Sequence, residues 1–400
     1  MAISELSISL DVLVLGGGVQ GLWILNDLLQ EGYHSLLLET GELGGDQTCH
    51  SHAYIHHGHV FGTHGLAKSV KEVHQIWTEW LTHHPIHQNM DSYFGFANPA
   101  EADKREHLWN DPLHMLPFSS SDLPLPLAGG HILKALKMTG VCLDAEELVK
   151  ALVTGTPDHI SKIKSITDIA SAGGRISWVT ANVDNNTYLR LQPRALILAA
   201  GRGNTGLHQM ICGKSADDCC EIRTLHMLVV RAKNKILDPL AGFFHPSKLF
   251  IVPRQVGEDI VWLVSDTRHN PDRDNWVQTL FPLLVELAPR YFRDPTDLLF
   301  GIYEAVKCDG RGAGDLPAGE QLVQFGFQNL WAVWPTKLTL APRASRSLRS
   351  LLRTTIGPPT NSPSFPPGWT HARVQPAIAK ERWRVTPLLP WNEFQVCYHL

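Results

Sequence analysis

The stretch that most limits what this chain can fold into is "DVLVLGGGVQGLWILNDLLQEGYHSLLLE", residues 11 to 39. Its first five residues read as an apolar strand that stops at Gly16, Gly17 and Gly18. From Val19 to Gln30 the apolar positions take helical spacing, with Leu22, Leu25, Leu28 and Leu29 on one face. Gly32 suits the position just past a helix end, and "HSLLLE" is a second buried strand finishing at Glu39. Strand, glycine turn, helix and strand in about thirty residues make a parallel βαβ unit. Gly16, Gly18 and Gly21 form G-x-G-x-x-G across its turn. The first glycine permits the tight turn, the second lets a pyrophosphate approach the backbone, and the third allows close helix–strand packing. The helix start at Val19 and Gln20 offers free N–H groups and a positive dipole end to phosphate. Glu39, at the end of the second strand, is placed to accept ribose hydroxyls. A purely structural glycine turn is the alternative to this dinucleotide site.

Four hundred residues exceed what one core usually serves, so two linked domains are expected. A formal charge of -4 gives no electrostatic case for nucleic acid or an anionic membrane. The seven cysteines are scattered and contain no CxxC, which argues for a reducing compartment without structural zinc or disulfides. The longest apolar runs are too short to span a bilayer, and "MAISELSISL" lacks a cationic leader. A cytoplasmic protein is therefore expected.

Further along, helical patterning returns at 65 to 84, 144 to 153, 276 to 292 and 343 to 353. Residues 85 to 130, rich in Pro, Ser and Asp, read as loops with short elements. "HISKIKSITDI", "RISWVTANV" and "TYLRLQPRALILAAG" read as strands, and "TLHMLVVRA", "KLFIVPRQ" and "IVWLVSD" as an antiparallel second sheet. The last forty-odd residues are Pro- and Trp-rich and read as an ordered arm, because their aromatics need somewhere to pack.

The opening βαβ unit resembles that of FAD-dependent oxidoreductases of the D-amino-acid oxidase / glycerol-3-phosphate dehydrogenase superfamily. "ALILAAGRGN" (195 to 204) is similar to the superfamily's strand ending in A-A-G, and "NLWAVWPTKLTLAP" (329 to 342) to its C-terminal flavin segment. The resemblance implies an α/β fold (α+β overall), with a Rossmann-like FAD domain carrying an inserted antiparallel-sheet substrate domain. The FAD domain is expected at 1–90, 141–221 and 300–358, the substrate domain at 91–140 and 222–299, and the arm at 359–400. Ala200, Gly201, Thr336, Lys337 and Leu338 would join the FAD site. Where the superfamily has glycines, this chain has Trp334, Pro335, Thr336 and Lys337. Lys337 then either places positive charge by flavin N1 and O2 or sits as a surface lysine.

The same resemblance locates "LGGDQTCHSHAYIHHGHVFGTH" (43 to 64) as the loop that wraps the flavin. Its histidines admit three readings: a metal site, a covalent flavin link through His50, or non-covalent contacts from Thr48, His50, Ser51 and His52. The loop's commitment to flavin speaks against metal, and non-covalent contact is favoured over the covalent link. His56, in "YIHHGH", resembles a position beneath the flavin, where it would either take a substrate proton or serve as a satisfied structural histidine. On the second-domain sheet Arg254 is either suited to a carboxylate clamp or a surface arginine on an edge strand, and Tyr303, Glu304 and Lys307 occupy a region near substrate in the superfamily. Cys308 lies several residues out of register with a cysteine-linked flavin, Cys219-Cys220 reads as buried thiols, and the Arg343, Arg346, Arg349, Arg353 run as a solvated helix face. His245 and His269 carry no assignment.

The resulting expectation is an FAD-dependent oxidoreductase that removes hydride from a carbon bearing an amine or hydroxyl in a small amine, amino acid or hydroxy acid. A flavoprotein with repurposed chemistry is the alternative suggested by the Trp-Pro-Thr-Lys departure. An NAD(P)-dependent dehydrogenase is the third reading, opposed by the absence of a second glycine fingerprint. No partner beyond a small-molecule substrate is implied, and neither substrate nor oligomeric state is written in the motifs.

Overall fold

The computed structural model describes residues 4–55, 64–109, 119–184, 187–213, 220–234, 237–245, 247–266, 270–310, 320–334, 337–360 and 365–400. In chain order the strands are β1 (Ser4–Leu15), β2 (Ser35–Glu39), β3 (Tyr54–Ile55), β4 (His87–Phe96), β5 (Ser119–Ser121), β6 (Lys134–Leu143), β7 (Ile160–Lys162), β8 (Ser165–Ala172) and β9 (Arg175–Asn182). They continue with β10 (Thr187–Leu198), β11 (Cys220–Ala232), β12 (Ala241–His245), β13 (Leu249–Val256), β14 (Asp259–Asp266), β15 (Leu298–Gly310), β16 (Gln321–Gln324), β17 (Leu330–Trp334) and β18 (Leu389–Pro390).

One sheet has the order β16-β17-β10-β1-β2-β7, with the β8–β9 hairpin joined to β10. Its centre is parallel: β1 pairs with β10 and β2, and β10 with β17. Val12, Leu13, Val14 and Leu15 are buried on both faces, as a central parallel strand requires. Helix α1 (Val19–Gln30) lies on this sheet and buries Leu22, Ile24, Leu25 and Leu28. Against it packs helix Ala341–Thr355, whose Arg349 and Arg353 both reach Glu31 at 2.6 and 2.7 Å. The arginine run is therefore partly an inter-helix clasp, not a uniformly solvated face.

The second sheet runs β18-β15-β11-β14-β13-β12-β4-β6-β3, with β5 on β6. Most of its neighbours are antiparallel, but β12 pairs with β4 in parallel, so the sheet is mixed. Its strands alternate between two environments with period two. Leu228, Val230, Ile251, Trp262, Val264 and Phe300 face a core closed by helix Arg273–Leu287. Of the intervening positions, Leu225, Met227, Phe250, Ser265, Ala305 and Lys307 line the cleft, while Val229, Leu263 and Tyr303 pack with Trp383 of the C-terminal segment.

Three expectations change. Residues 300–310 belong to β15 and pair along β11 in the second sheet, since their alternating burial suits a two-faced sheet and not a central parallel strand. Residues 54–55, 87–90 and 141–143 likewise join the second sheet. Within 85 to 130 lies the ten-residue strand β4, whose polar first half hides the signal before Phe94 and Phe96. The described part of the arm packs on the rest of the chain: Trp369, Trp383 and Phe394 are buried, and Leu43 exchanges backbone hydrogen bonds with Ala377 and Ala379 at 2.8 and 2.9 Å.

Candidate active site

The glycine turn at the end of β1 is built as tightly as its spacing suggests. Gly16 has φ +114°, and a Cβ there would stand 2.6 Å from Ala199 O. A Cβ at Gly21 would stand 1.9 Å from Gly16 O, so helix and strand approach through that hydrogen-only face. Gly18 differs. Its φ of -74° is ordinary, and its absent Cβ would meet nothing nearer than Thr48 Oγ1 at 3.4 Å. Empty space over the helix start is what a phosphate-bearing ligand needs. Val19 N–H donates to Thr48 Oγ1 at 3.1 Å, which fastens the His-rich loop to the turn. Glu39 accepts from Gly17 N–H at 2.6 Å and Gly41 N–H at 2.7 Å. Gln20 donates to Ala341 O at 3.3 Å, while its Oε1 is buried without a partner.

These groups open onto a cleft of about 1410 Å³ between the two sheets. That exceeds the ~300–1,000 Å³ of ordinary ligand pockets and leaves room for a dinucleotide plus a substrate. Gly16, Gly18, Val19, Gln20, Glu39, Thr48, His50, Ser51, His52, Ala200, Gly201, Lys337 and Leu338, all singled out from sequence, line it together. Gly21 stays behind the turn as a packing residue. His56, Thr336 and His269 lie outside the described residues.

The opposite wall comes from the inward positions of the second sheet: Arg223, Leu225 and Met227 on β11, Ser265 on β14, Phe250 on β13, Ala305 and Lys307 on β15. Phe94, Phe243 and Tyr54 add aromatic surface. At one end three basic side chains surround the buried Asp309 carboxylate, and Glu221, half-exposed at the rim, lies 3.7 Å from Arg223 Nε. Arg223 bonds Asp309, Lys307 Nζ lies 3.1 Å from it, and Lys337 Nζ 3.9 Å. Burial pushes the Asp309 carboxyl up, but the three cations outweigh it and hold it below the usual range. Burial, and then repulsion from Lys307, hold Lys337 well below an ordinary lysine. Lys337 is thus a wall residue, its side chain only 11% exposed, and not a surface lysine.

Two expected substrate residues are elsewhere. Arg254 is 5% exposed and forms no part of the cleft wall. Its guanidinium donates to Cys142 Sγ at 2.7 Å, to Leu143 O, to His52 O at 2.7 Å and to Glu381 Oε1 at 3.3 Å. With both terminal nitrogens so committed and the side chain buried away from the cleft, it is no free carboxylate clamp. Tyr303 also lies behind the wall, its hydroxyl donating to His50 O at 3.3 Å. Both hold the backbone of the His-rich loop from beneath.

The side chains of His50, Ser51 and His52 in that loop line the cleft. Burial lowers the proton affinity of His50, whose ring meets Tyr303 edge-on at 6.3 Å. His52 is pushed down to about 3 by burial and then by Arg254, so its ring is neutral in ordinary buffers. Its Nε2 lies 3.4 Å from Ser265 Oγ. Among the described residues no group of three or more His, Cys, Asp or Glu is placed to hold a metal ion. Sequence reading missed Arg223, Asp309, Ser265 and the aromatic wall. The period-two face of "RTLHM" is the one local signal that pointed at Arg223.

A comparison with protein families finds the model described as "FAD dependent oxidoreductase" (DAO) matching residues 11–332. The chain belongs to this family. A probable FAD-dependent oxidoreductase of Pseudomonas aeruginosa is 24% identical over 95% of this chain and 98% of its own length. The crystal structure of that FAD dependent oxidoreductase superposes with a TM-score of 0.74 at 20% identity, covering 95% of this chain and 98% of that one. L-alpha-glycerophosphate oxidase from Mycoplasma pneumoniae, with FAD bound, gives 0.68 at 16% identity, covering 92% and 98%. Glycine oxidase from Bacillus cereus gives 0.65 at 13%, covering 86% and 95%.

Membership in the DAO family makes FAD the cofactor, and the NAD(P) reading is set aside. The residues present fit it. Gly18 leaves open the space where a Cβ would stand, the start of helix α1 faces that space, and the orphaned Gln20 Oε1 is an acceptor that a hydroxyl-rich cofactor can satisfy. When bound, FAD supplies the electron chemistry, and the chain supplies orientation, exclusion of water and charge. No helix among the described residues is long and apolar enough to cross a membrane.

Proposed function

We propose that this FAD-dependent oxidoreductase acts on a small acid, removing hydride from the carbon that bears its amine or hydroxyl group. The observation that carries the reading is the cluster of Arg223, Lys307 and Lys337 around Asp309 on the cleft wall. Of the two carboxylates beside these bases, Asp309 is buried and Glu221 stands half-exposed at the rim, so Arg223, Lys307 and Lys337 outnumber the buried carboxylate. A buried excess of positive charge is satisfied by an anion, which an amino acid or hydroxy acid brings and a simple amine does not. The wall of Tyr54, Phe94, Phe243 and Phe250 accepts an apolar side chain. Ser265, beside the neutral ring of His52, offers an oxygen to an N–H or O–H of the substrate. The cofactor is held without a covalent bond, by the glycine turn, Glu39 and the His50–His52 loop.

An anaerobic panel of amino acids, 2-hydroxy acids, glycerol phosphate and neutral amines, followed by loss of visible flavin absorbance, tests this. Acids bearing an α-amine or α-hydroxyl are expected to bleach the flavin. A neutral amine that bleaches it faster than every acid overturns the proposal. Trp334 supports a second reading. Its buried indole, donating to Gly201 O at 3.3 Å, fills a position where the resemblance has glycine. A flavin that no panel member reduces favours repurposed chemistry.

A further inference from the structure

Arg254 projects from β13 on the same side as Phe250 and Val252, toward the loop that carries His50 and His52. All four of its acceptors lie in other segments: Cys142, Leu143, His52 and Glu381. Glu381 belongs to the C-terminal arm and is 1% exposed. Its carboxylate also accepts from Ala145 N–H at 3.1 Å and from Arg384 Nε at 2.9 Å. A buried carboxylate so fully bonded fixes the guanidinium, and the guanidinium fixes His52 O through a charge-assisted bond.

What is held is a turn that would not hold itself. Ala53 has φ +43°, a conformation that a residue with a side chain keeps only when its surroundings impose it. Its N–H donates to Ser51 Oγ at 3.0 Å, and its carbonyl accepts from Leu143 N–H at 2.8 Å. Tyr303 adds a second grip at His50 O. The carbonyls of 50 and 52 are thereby turned away from the cleft, while both imidazoles line it. Buried ion pairs contribute little net stability compared with well-packed apolar groups, so this pair is better explained by the geometry it enforces.

We propose that Arg254 and Glu381 are positioning residues for the cofactor, holding His50–Ala53 in the shape that FAD binds. No arm residue lines the cleft among the described residues, yet the arm becomes part of the flavin site through this relay.

Glu381→Gln keeps the shape and most hydrogen bonds but removes the charge, and Arg254→Lys keeps the charge but loses the fork. Each is expected to weaken FAD binding by on the order of tenfold, read by flavin fluorescence titration, because a small misplacement of contact groups has effects of that order or larger. Hydrogen exchange in the holoenzyme is expected to rise in peptides covering residues 47–55. Phe292→Leu, in the core on the far side of the second sheet, serves as a control matched in melting temperature and is expected to change neither readout. Wild-type FAD affinity and unchanged exchange in Glu381→Gln overturn the proposal, and this variant decides the matter if Arg254→Lys does not fold. Both readouts concern FAD retention, so they stand apart from the identity of the substrate.

Discussion

Replacing Gly18 by alanine separates the needs of the fold from the needs of the cofactor. Gly18 has φ -74° and ψ 177°, values any L residue adopts, so alanine introduces no backbone strain. The new methyl meets only Thr48 Oγ1 at 3.4 Å. The protein without FAD should therefore keep its stability, or gain ~0.4–1 kcal/mol from the stiffer unfolded chain. On the G-x-G-x-x-G reading, the same methyl would stand where the pyrophosphate of FAD approaches the backbone. Overfilling a packed contact costs ~1–3 kcal/mol, which corresponds to about 5- to 150-fold weaker FAD binding. Gly21→Ala is the opposite case, since its methyl would lie 1.9 Å from Gly16 O and must push helix α1 off β1. That variant should lose about 3 kcal/mol or more of stability before any ligand is added. Thermal unfolding of FAD-free protein, followed by a fluorescence titration with FAD, measures both quantities. Wild-type affinity in Gly18→Ala would refute the reasoning, as would an FAD-free melting temperature as low as that of Gly21→Ala.

Lys307→Met should raise KM for an acid substrate by about tenfold or more while changing kcat less, in steady-state assays, because it removes a charge used in binding. As pH rises through the lowered pKa of Lys337, KM for that acid should climb below the usual lysine range, and Lys337→Met should lack this limb. His52 binds its proton near pH 3 when folded and near 6.5 when unfolded, so its contribution to stability is complete above pH 6.5 and declines as pH falls toward 3. Denaturant titrations should show at most about 1.4 kcal/mol per pH unit from this group, and a flatter acid limb in His52→Gln. Acid precipitation of the holoenzyme should release all yellow colour into the supernatant; colour retained in the pellet and lost in His50→Ala would instead establish a covalent link.

The part of the site that is local in sequence was the legible part. Gly16, Gly18, Gly21 and Glu39 lie within one βαβ unit, and the structure sets Gly16, Gly18 and Glu39 together at one part of the cleft, with Gly21 packed behind them. The His50–His52 loop follows that unit directly, so its place on the wall was also readable. The cation cluster was not, because Arg223, Lys307, Asp309 and Lys337 come from two antiparallel strands and a turn, and only their pairing brings them together. Arg254 was misread for a related reason. Period two gives the face on which a side chain emerges, but not whether that face meets the cleft or another layer of protein. Strand β15 was placed in the wrong sheet because its register with β11 depends on partners about eighty residues away, such as Met227 with Tyr303.

The ion pair between Arg254 and Glu381 also has a consequence for biosynthesis. The two residues are 127 positions apart, and every described residue of the cleft wall precedes Glu381 in the chain. At about 5–20 residues per second, a nascent chain that has already made Arg254 waits on the order of ten seconds for its counter-ion. During that interval the βαβ unit and its glycine turn can fold, and Thr48 and Tyr303 can grip the loop, but the loop lacks its tie to the arm. On the proposed role of this pair, tight loading with flavin waits for the arm, and a tight holoenzyme is a late product of synthesis.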